Sequence, residues 1–101
     1  MAVYVDSAKN PYGYMKMCHM LADTKTELFE MAEKIGVQLK WYQGFDKASC
    51  PHFDIAQSKR ELAIKFGAIP VDKYKLVDII RRIKSNALEL IKLSKQHGWE
   101  N

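Results

Sequence analysis

From Leu76 to Leu90 the apolar residues Leu76, Ile80, Ile83, Ala87 and Leu90 recur by fours and threes, and Val77, Ile79, Leu88 and Ile91 widen the stripe. That spacing predicts an amphipathic helix, and the flanking residues extend it from Asp72 to about His97. About 26 helical residues measure ~39 Å, longer than one side of a small domain. A chain of 101 residues buries one core and not two. The expectation is a single α/β domain over residues 1–101, with 72–101 forming a C-terminal helix that outreaches it. The surplus is expected to pack on a second copy through residues 76–93, giving a homo-oligomer, or to fold back after a break near Ser85-Asn86.

Upstream, the periodicity changes several times. Ala2-Val3-Tyr4-Val5 is β-prone and stops at Asp6, and Ser7, Asn10, Pro11 and Gly13 mark a loop. Met15 to Ala22 predicts a second strand, with Met15, Met17, His19 and Leu21 on one face and Lys16, Cys18, Met20 and Ala22 on the other. Thr24-Lys25-Thr26-Glu27 has the form of a capping box. Leu28, Met31, Ala32 and Ile35 then share one helical face, and Gly36 stands where a left-handed cap is wanted. Val37, Leu39 and Trp41 alternate with Gln38, Lys40 and Tyr42, which predicts a third strand.

Gly44 to Pro51 reads as a polar loop running into His52-Phe53-Asp54. A helix follows from Ala56 to Phe66, with Leu62, Ala63 and Phe66 in register and Gly67 at its end. Ala68-Ile69-Pro70-Val71 predicts an edge strand, because Pro70 cannot donate to a central ladder. The fold class is therefore α/β: a small mixed sheet with flanking helices, ordered β-β-α-β-α-β-α, and a long C-terminal amphipathic helix.

Composition excludes several classes. Hydrophobic residues are 48% and charged residues 28% of the chain, too apolar for a disordered protein. No apolar run approaches the ~18 residues of a membrane span, and Met1 to Asp6 does not have the form of a signal peptide. No membrane partner and a cytoplasmic location are the expectations. Cys18 and Cys50 have no zinc-ligand or CxxC spacing and are read as free thiols, Cys18 buried and Cys50 exposed. Of the net charge of +4, +3 falls from Asp72 onward. A basic segment of that kind suits either a solvated helix face or nucleic acid, and the solvated face is the favoured reading.

Taken together, Val3-Tyr4-Val5-Asp6, the Gly13 loop, Met17-Cys18-His19-Met20-Leu21-Ala22-Asp23, Glu27-Leu28, Gly36-Val37, Trp41-Tyr42-Gln43, Pro51-His52-Phe53-Asp54-Ile55, Lys59-Arg60 and Gly67-Ala68 before Pro70-Val71 resemble the DUF4031 family. The resemblance runs from residue 2 to about residue 84. It implies a small bacterial or phage-encoded domain with a defined fold and a candidate residue set, and it implies no reaction.

The candidate ligand-binding residues are Asp6, His19, Asp23, His52, Asp54, Lys59 and Arg60. Several fall at strand ends or helix starts, where open α/β sheets build sites. Three functional classes follow. A binding protein for a nucleotide-like or phosphorylated ligand would use His52, Lys59 and Arg60 at a helix N-terminus, where free N–H groups favour anions, with Tyr4, Tyr14, Trp41 and Tyr42 available to stack. A metal-dependent phosphoester hydrolase or nuclease would hold a divalent metal on His19, His52 and Asp54. A protein-interaction module of inhibitor type would act through the C-terminal helix. Singly, each residue also has a plain structural role: Asp54 as a helix N-cap, His19 as a hydrogen-bonded core histidine, Trp41 and the methionines as core.

Overall fold

The computed structural model describes residues 2–96. The side chains of 91–96 and all of 97–101 lie outside the described residues, and with them the expected helix end at His97 and the last part of the expected oligomer stripe. The elements are β1 (Val3–Val5), β2 (Asn10–Tyr12), β3 (Met15–Ala22), α1 (Lys25–Ile35), a 3-10 turn (Leu39–Trp41), β4 (Phe53–Ala56), α2 (Gln57–Lys65), β5 (Ile69–Pro70) and α3 (Lys73–Gln96). The five strands form one mixed sheet with β3 at its centre.

The register of β3 positions everything else. Met20 faces Val5 of β1 and Phe53 of β4, while Met17 faces Asn10 of β2 and Ala56 of β4. A strand has two edges, so β4 occupies one edge of β3 and β1 and β2 share the other. Between Val5 and Asn10 four residues, Asp6 to Lys9, stand opposite only two, Cys18 and His19. The chain bulges there, and β1 and β2 run along β3 two residues out of step. β5 pairs in parallel with the outer edge of β1, where the missing N–H of Pro70 is tolerated.

Alternation along the strands then sorts side chains onto two faces. Val3, Val5, Cys18, Met20, Ala22, Phe53 and Ile55 face α1 and α2 and form the main core with Leu28, Met31, Ala32, Ile35 and Ala63. The α1 helix that closes this core is defined locally. Thr24 Oγ1 accepts from the Glu27 N–H and donates to the Glu27 carboxylate, and Gly36 takes φ 78° at the other end. A cap of this kind stabilises a helix by about 1 kcal/mol. On the opposite face Tyr4, Val71 and Ile79 form a smaller cluster with Leu76 and Ile83 of α3. Asp72 starts α3, its Oδ1 accepting from the Lys75 N–H. The outcome is an α/β domain with two helices on one face of the sheet and one helix on part of the other.

Several expectations are corrected. Residues 6–13 are not all loop, because β2 pairs with β3 across a tight turn at Gly13, φ 61°. Residues 37–42 do not form a strand. They carry the 3-10 turn, and Leu39 and Trp41 are exposed, because the alternation there faces no sheet. His52-Phe53-Asp54 does not lead directly into a helix. Phe53 and Ile55 alternate into the core as β4, so Asp54 is a strand residue and the N-cap of α2 is Ala56. In α2, Ala63 is buried and Ile64 packs on the core, while Leu62 and Phe66 are exposed. The C-terminal helix has no break at Ser85-Asn86 and runs continuously for 24 residues, ~36 Å. Cys50 is buried, not exposed, and both cysteines are free.

Candidate metal centre

His19 of β3 and Asp54 of β4 are cross-strand partners on the face that bears α3. The α3 cluster covers Tyr4, whose cross-strand partner on β3 is Leu21, and His19 lies one step further along the same face. His52 is brought beside them by a short backbone bridge in which Gln43 and His52 exchange two N–H···O bonds of 3.0 Å. The His19 and His52 rings meet edge to face with centroids 5.3 Å apart.

Each polar atom around this cluster has a defined role. The bulge after β1 turns Asp6 back onto β3, where Asp6 Oδ1 accepts the His19 backbone N–H at 2.8 Å and Asp6 Oδ2 lies 2.6 Å from His19 Nδ1. A carboxylate can only accept, so Nδ1 of His19 carries a proton, and in the neutral ring Nε2 presents its lone pair. His52 Nδ1 lies 2.8 Å from the Cys50 carbonyl oxygen, also an acceptor, which fixes the same tautomer in His52. Gln43 Nε2 donates to Asp54 Oδ2 at 2.8 Å, leaving Asp54 Oδ1 free. That oxygen stands 3.3 Å from His52 Nε2 and 3.8 Å from His19 Nε2.

Three electron-pair donors thus converge, one from each of His19, His52 and Asp54, all within 4.8 Å of one another. Two ligands about 2.1 Å from a tetrahedral metal stand about 3.4 Å apart, so modest contraction would bring these atoms to ligand geometry. Every prospective ligand also has an orienting partner: Asp6 for His19, the Cys50 carbonyl for His52, Gln43 for Asp54. Carboxylate-histidine pairing of this type is the usual support behind metal-bound imidazole.

The electrostatics follow from the same contacts. Burial pushes the Asp6 carboxyl up, but the His19 ring, the His19 N–H and the charge on His19 outweigh it and hold Asp6 below the usual carboxylate range. The Asp6 hydrogen bond raises His19 above its ordinary value against the opposing effect of burial. On the other face of β3, burial and the charges of Asp6 and Asp54 push the Cys18 thiol up to about 12. It is neither a nucleophile at neutral pH nor a neighbour of the His19 ring.

His19 and Asp54 form the floor of a cleft of about 530 Å³. One wall comes from the β2–β3 hairpin through Tyr12, Met15 and Met17, the other from residues 36–43 through Val37 and Trp41.

The remaining candidates are placed elsewhere. Asp23 sits at the far end of β3, four residues and about 13 Å along the strand from His19. Its carboxylate accepts from the Ala2 N–H, the Tyr4 hydroxyl and the Arg82 guanidinium, so it fastens α3 to the sheet. Arg60 donates from Nε to the Asp6 carbonyl, and Gln57 donates to the Ala8 carbonyl. Together they hold the bulge from the α2 side. The Lys59 ammonium lies over Gly36, at the electronegative end of α1. The expected phosphate site of His52, Lys59 and Arg60 at a helix N-terminus is therefore not assembled. Gln43 and the Cys50 carbonyl were not anticipated. The signal available for Gln43 was its position beside the Gly44–Pro51 loop, opposite His52 across the loop's neck.

The family model described as "Protein of unknown function (DUF4031)" matches residues 3–83. The chain belongs to the DUF4031 family. The match takes in every residue of the three-ligand cluster and its supports, so the centre lies wholly within the DUF4031 portion. It ends at Ile83, the last α3 residue packed in the smaller cluster, and the rest of α3 lies beyond it. No curated protein and no solved structure matches the chain.

Proposed function

We propose that this domain binds a divalent transition metal on His19, His52 and Asp54 and uses it for hydrolysis of a phosphoester. What supports the reading is one observation: with both imidazoles neutral, three lone-pair donors face one another, and each is locked from behind. Two imidazoles and a carboxylate suit zinc, manganese, iron(II) or cobalt. Three protein ligands leave coordination positions open toward the cleft. Zinc in such a site would lower the pKa of bound water to about 7, and any of these metals would polarise a phosphoryl oxygen. A metal held by these three residues would thus supply a water-derived nucleophile and charge stabilisation for P–O cleavage, with solvent protonating the leaving oxygen. Arg60 is engaged with the Asp6 carbonyl, so the charge that draws an anionic ligand to the three-ligand cluster is chiefly the metal's own. Two free buried thiols fit a reducing compartment such as the cytoplasm, and no helix among the described residues is long and apolar enough to cross a membrane.

The test is direct. Protein stripped with a chelator is titrated with Zn²⁺ and Mn²⁺ by calorimetry and thermal shift, and the loaded protein is assayed on bis-p-nitrophenyl phosphate. At a free metal concentration 100 times Kd the expected stabilisation is about 2.7 kcal/mol, absent in His19→Ala and His52→Ala. A wild type that takes up no metal ends the reading, since an ionic network of imidazolium and carboxylates then explains the cluster. Uptake without chelator-sensitive hydrolysis leaves a metal-binding domain and removes the catalytic step.

One observation favours a partner role for α3 as well. Past Ile83 the helix projects from the domain with Leu88 and Leu90 exposed. A second copy packed there would make the chain a homo-oligomer. Leu88→Asp with Leu90→Asp should dissociate it in sedimentation, and a monomeric wild type defeats the idea. Ile83, packed on the molecule's own sheet, is not a suitable probe.

A further inference from the structure

The cleft walls carry a second signal, about what the metal centre acts on. Residues 7–22, which include the hairpin wall, contain no aspartate or glutamate, and neither do residues 34–45, which include the other wall. The lysines of these segments, Lys9, Lys16, Lys34 and Lys40, are not among the residues that line the cleft. The one carboxylate lining the cleft is the candidate ligand Asp54.

The same walls present aromatic surface that the core does not use. Tyr12 is 65% exposed and Trp41 is 55% exposed, yet both line the cleft. They approach from opposite sides of the sheet. Tyr12 belongs to β2, on the β1/β2 edge of β3, whereas Trp41 precedes the Gln43–His52 bridge that leads into β4 on the other edge. The Lys40 ammonium lies over the Trp41 ring, 5.6 Å from its centroid. Two flat apolar rings left facing a cleft are contact surface for a flat ligand. The cleft volume of about 530 Å³ falls in the range of about 300–1,000 Å³ for small-molecule sites, room for one nucleotide and not for a stacked duplex.

An anion-accepting floor between aromatic, acid-free walls matches one ligand chemistry. Resting on the metal reading above, we infer that the centre acts on a nucleoside phosphate, its phosphoryl group on the metal and its base against Tyr12 and Trp41. The nucleoside phosphate is either a free nucleotide or one unit of a single strand, since both offer the same base face and phosphoryl oxygens.

The experiment uses the full chain in a Trp99→Phe background, which leaves Trp41 as the one indole, stripped of metal and then titrated with Mn²⁺. The loaded protein is titrated with AMP, with a hexathymidylate and with ribose 5-phosphate, following indole fluorescence. AMP or the hexamer should quench Trp41 and bind at least tenfold tighter than ribose 5-phosphate. Stacking on an aromatic side chain is worth about 1–3 kcal/mol per base, so Tyr12→Ala and a calorimetric run on Trp41→Ala should each weaken that binding about tenfold and leave Mn²⁺ uptake unchanged. Preference for AMP identifies a free nucleotide and preference for the hexamer a single strand. Normal Mn²⁺ uptake with no advantage for the base-bearing ligands, or indifference to both aromatic substitutions, overturns this inference and leaves the metal centre standing. Absence of Mn²⁺ uptake shows earlier, in the first titration, and overturns both.

Discussion

The two faces of the β-sheet are built from the same strands and differ in what covers them. On one face α1 and α2 seal Val5, Cys18, Met20, Phe53 and Ile55 to 1% exposure or less. On the other, α3 covers Tyr4 and stops short of His19, Asp54 and Met15. Alternation forces neighbours such as Cys18 and His19 into these two environments. The consequence is a division of labour within single strands: one set of residues holds the fold, and the intervening set is free to carry chemistry. The open half is nonetheless ordered, because Asp6, Gln43 and the Cys50 carbonyl supply by hydrogen bonding the rigidity that packing supplies on the closed face.

This contrast can be broken in four ways. The largest effect is expected from Phe53→Ala, which empties a fully buried site between helices and sheet and should cost about 3–5 kcal/mol in urea denaturation. Met15→Ala on the open face should stay within about 0.5 kcal/mol, and equal losses would show that the open face is packed after all. Next, His52→Ala should leave metal-free stability nearly intact while abolishing the metal-induced stabilisation in a thermal scan. A large loss of metal-free stability would make the histidine a structural element. Third, Asp6→Asn should weaken metal affinity about 10- to 100-fold in calorimetry, the range seen for orienting partners, whereas an unchanged affinity would detach Asp6 from the centre.

The smallest effect concerns the covered part of the open face. Burial raises the Asp23 carboxyl, but the Ala2 N–H, the Tyr4 hydroxyl and Arg82 outweigh it and leave it below the ordinary value. A carboxylate lowered on folding adds stability above its unfolded pKa of about 3.9, and that part is lost as pH falls through the lower folded value. Wild type should therefore lose stability more steeply than Asp23→Asn between about pH 5 and pH 2. Parallel acid curves would show that the Asp23–Arg82 contact does not hold α3 down.

Legibility in the sequence followed the range of the interactions involved. The α1 helix was readable from Thr24, Glu27 and Gly36 because its boundaries are set by residues at most a turn apart. The two faces of β3 were readable from alternation alone, and so was the edge position of Pro70. The 3-10 turn was misread because Leu39 and Trp41 alternate like strand residues while both are exposed, Trp41 on the cleft, and alternation does not report what lies opposite. β2 escaped because Pro11 and Gly13 mark a turn, and nothing local says that an exposed hairpin arm pairs beside it. The His19, His52 and Asp54 set was nameable as a metal trio, but Asp23, Lys59 and Arg60 were expected at the same cleft. What separates the two groups is the register of β4 against β3 and the Gln43–His52 bridge, both set by pairings distant in the chain.

The two-residue offset between β1 and β2 has a consequence for chain length. Without the surplus residues among Ser7, Ala8 and Lys9 the two short strands would fuse into one uninterrupted ribbon beside β3. The His19 amide would then find an ordinary carbonyl partner in place of a carboxylate, and its ring would lose the anchor that chooses its tautomer. A two-residue deletion would so exchange a chemical centre for a longer, plainer sheet.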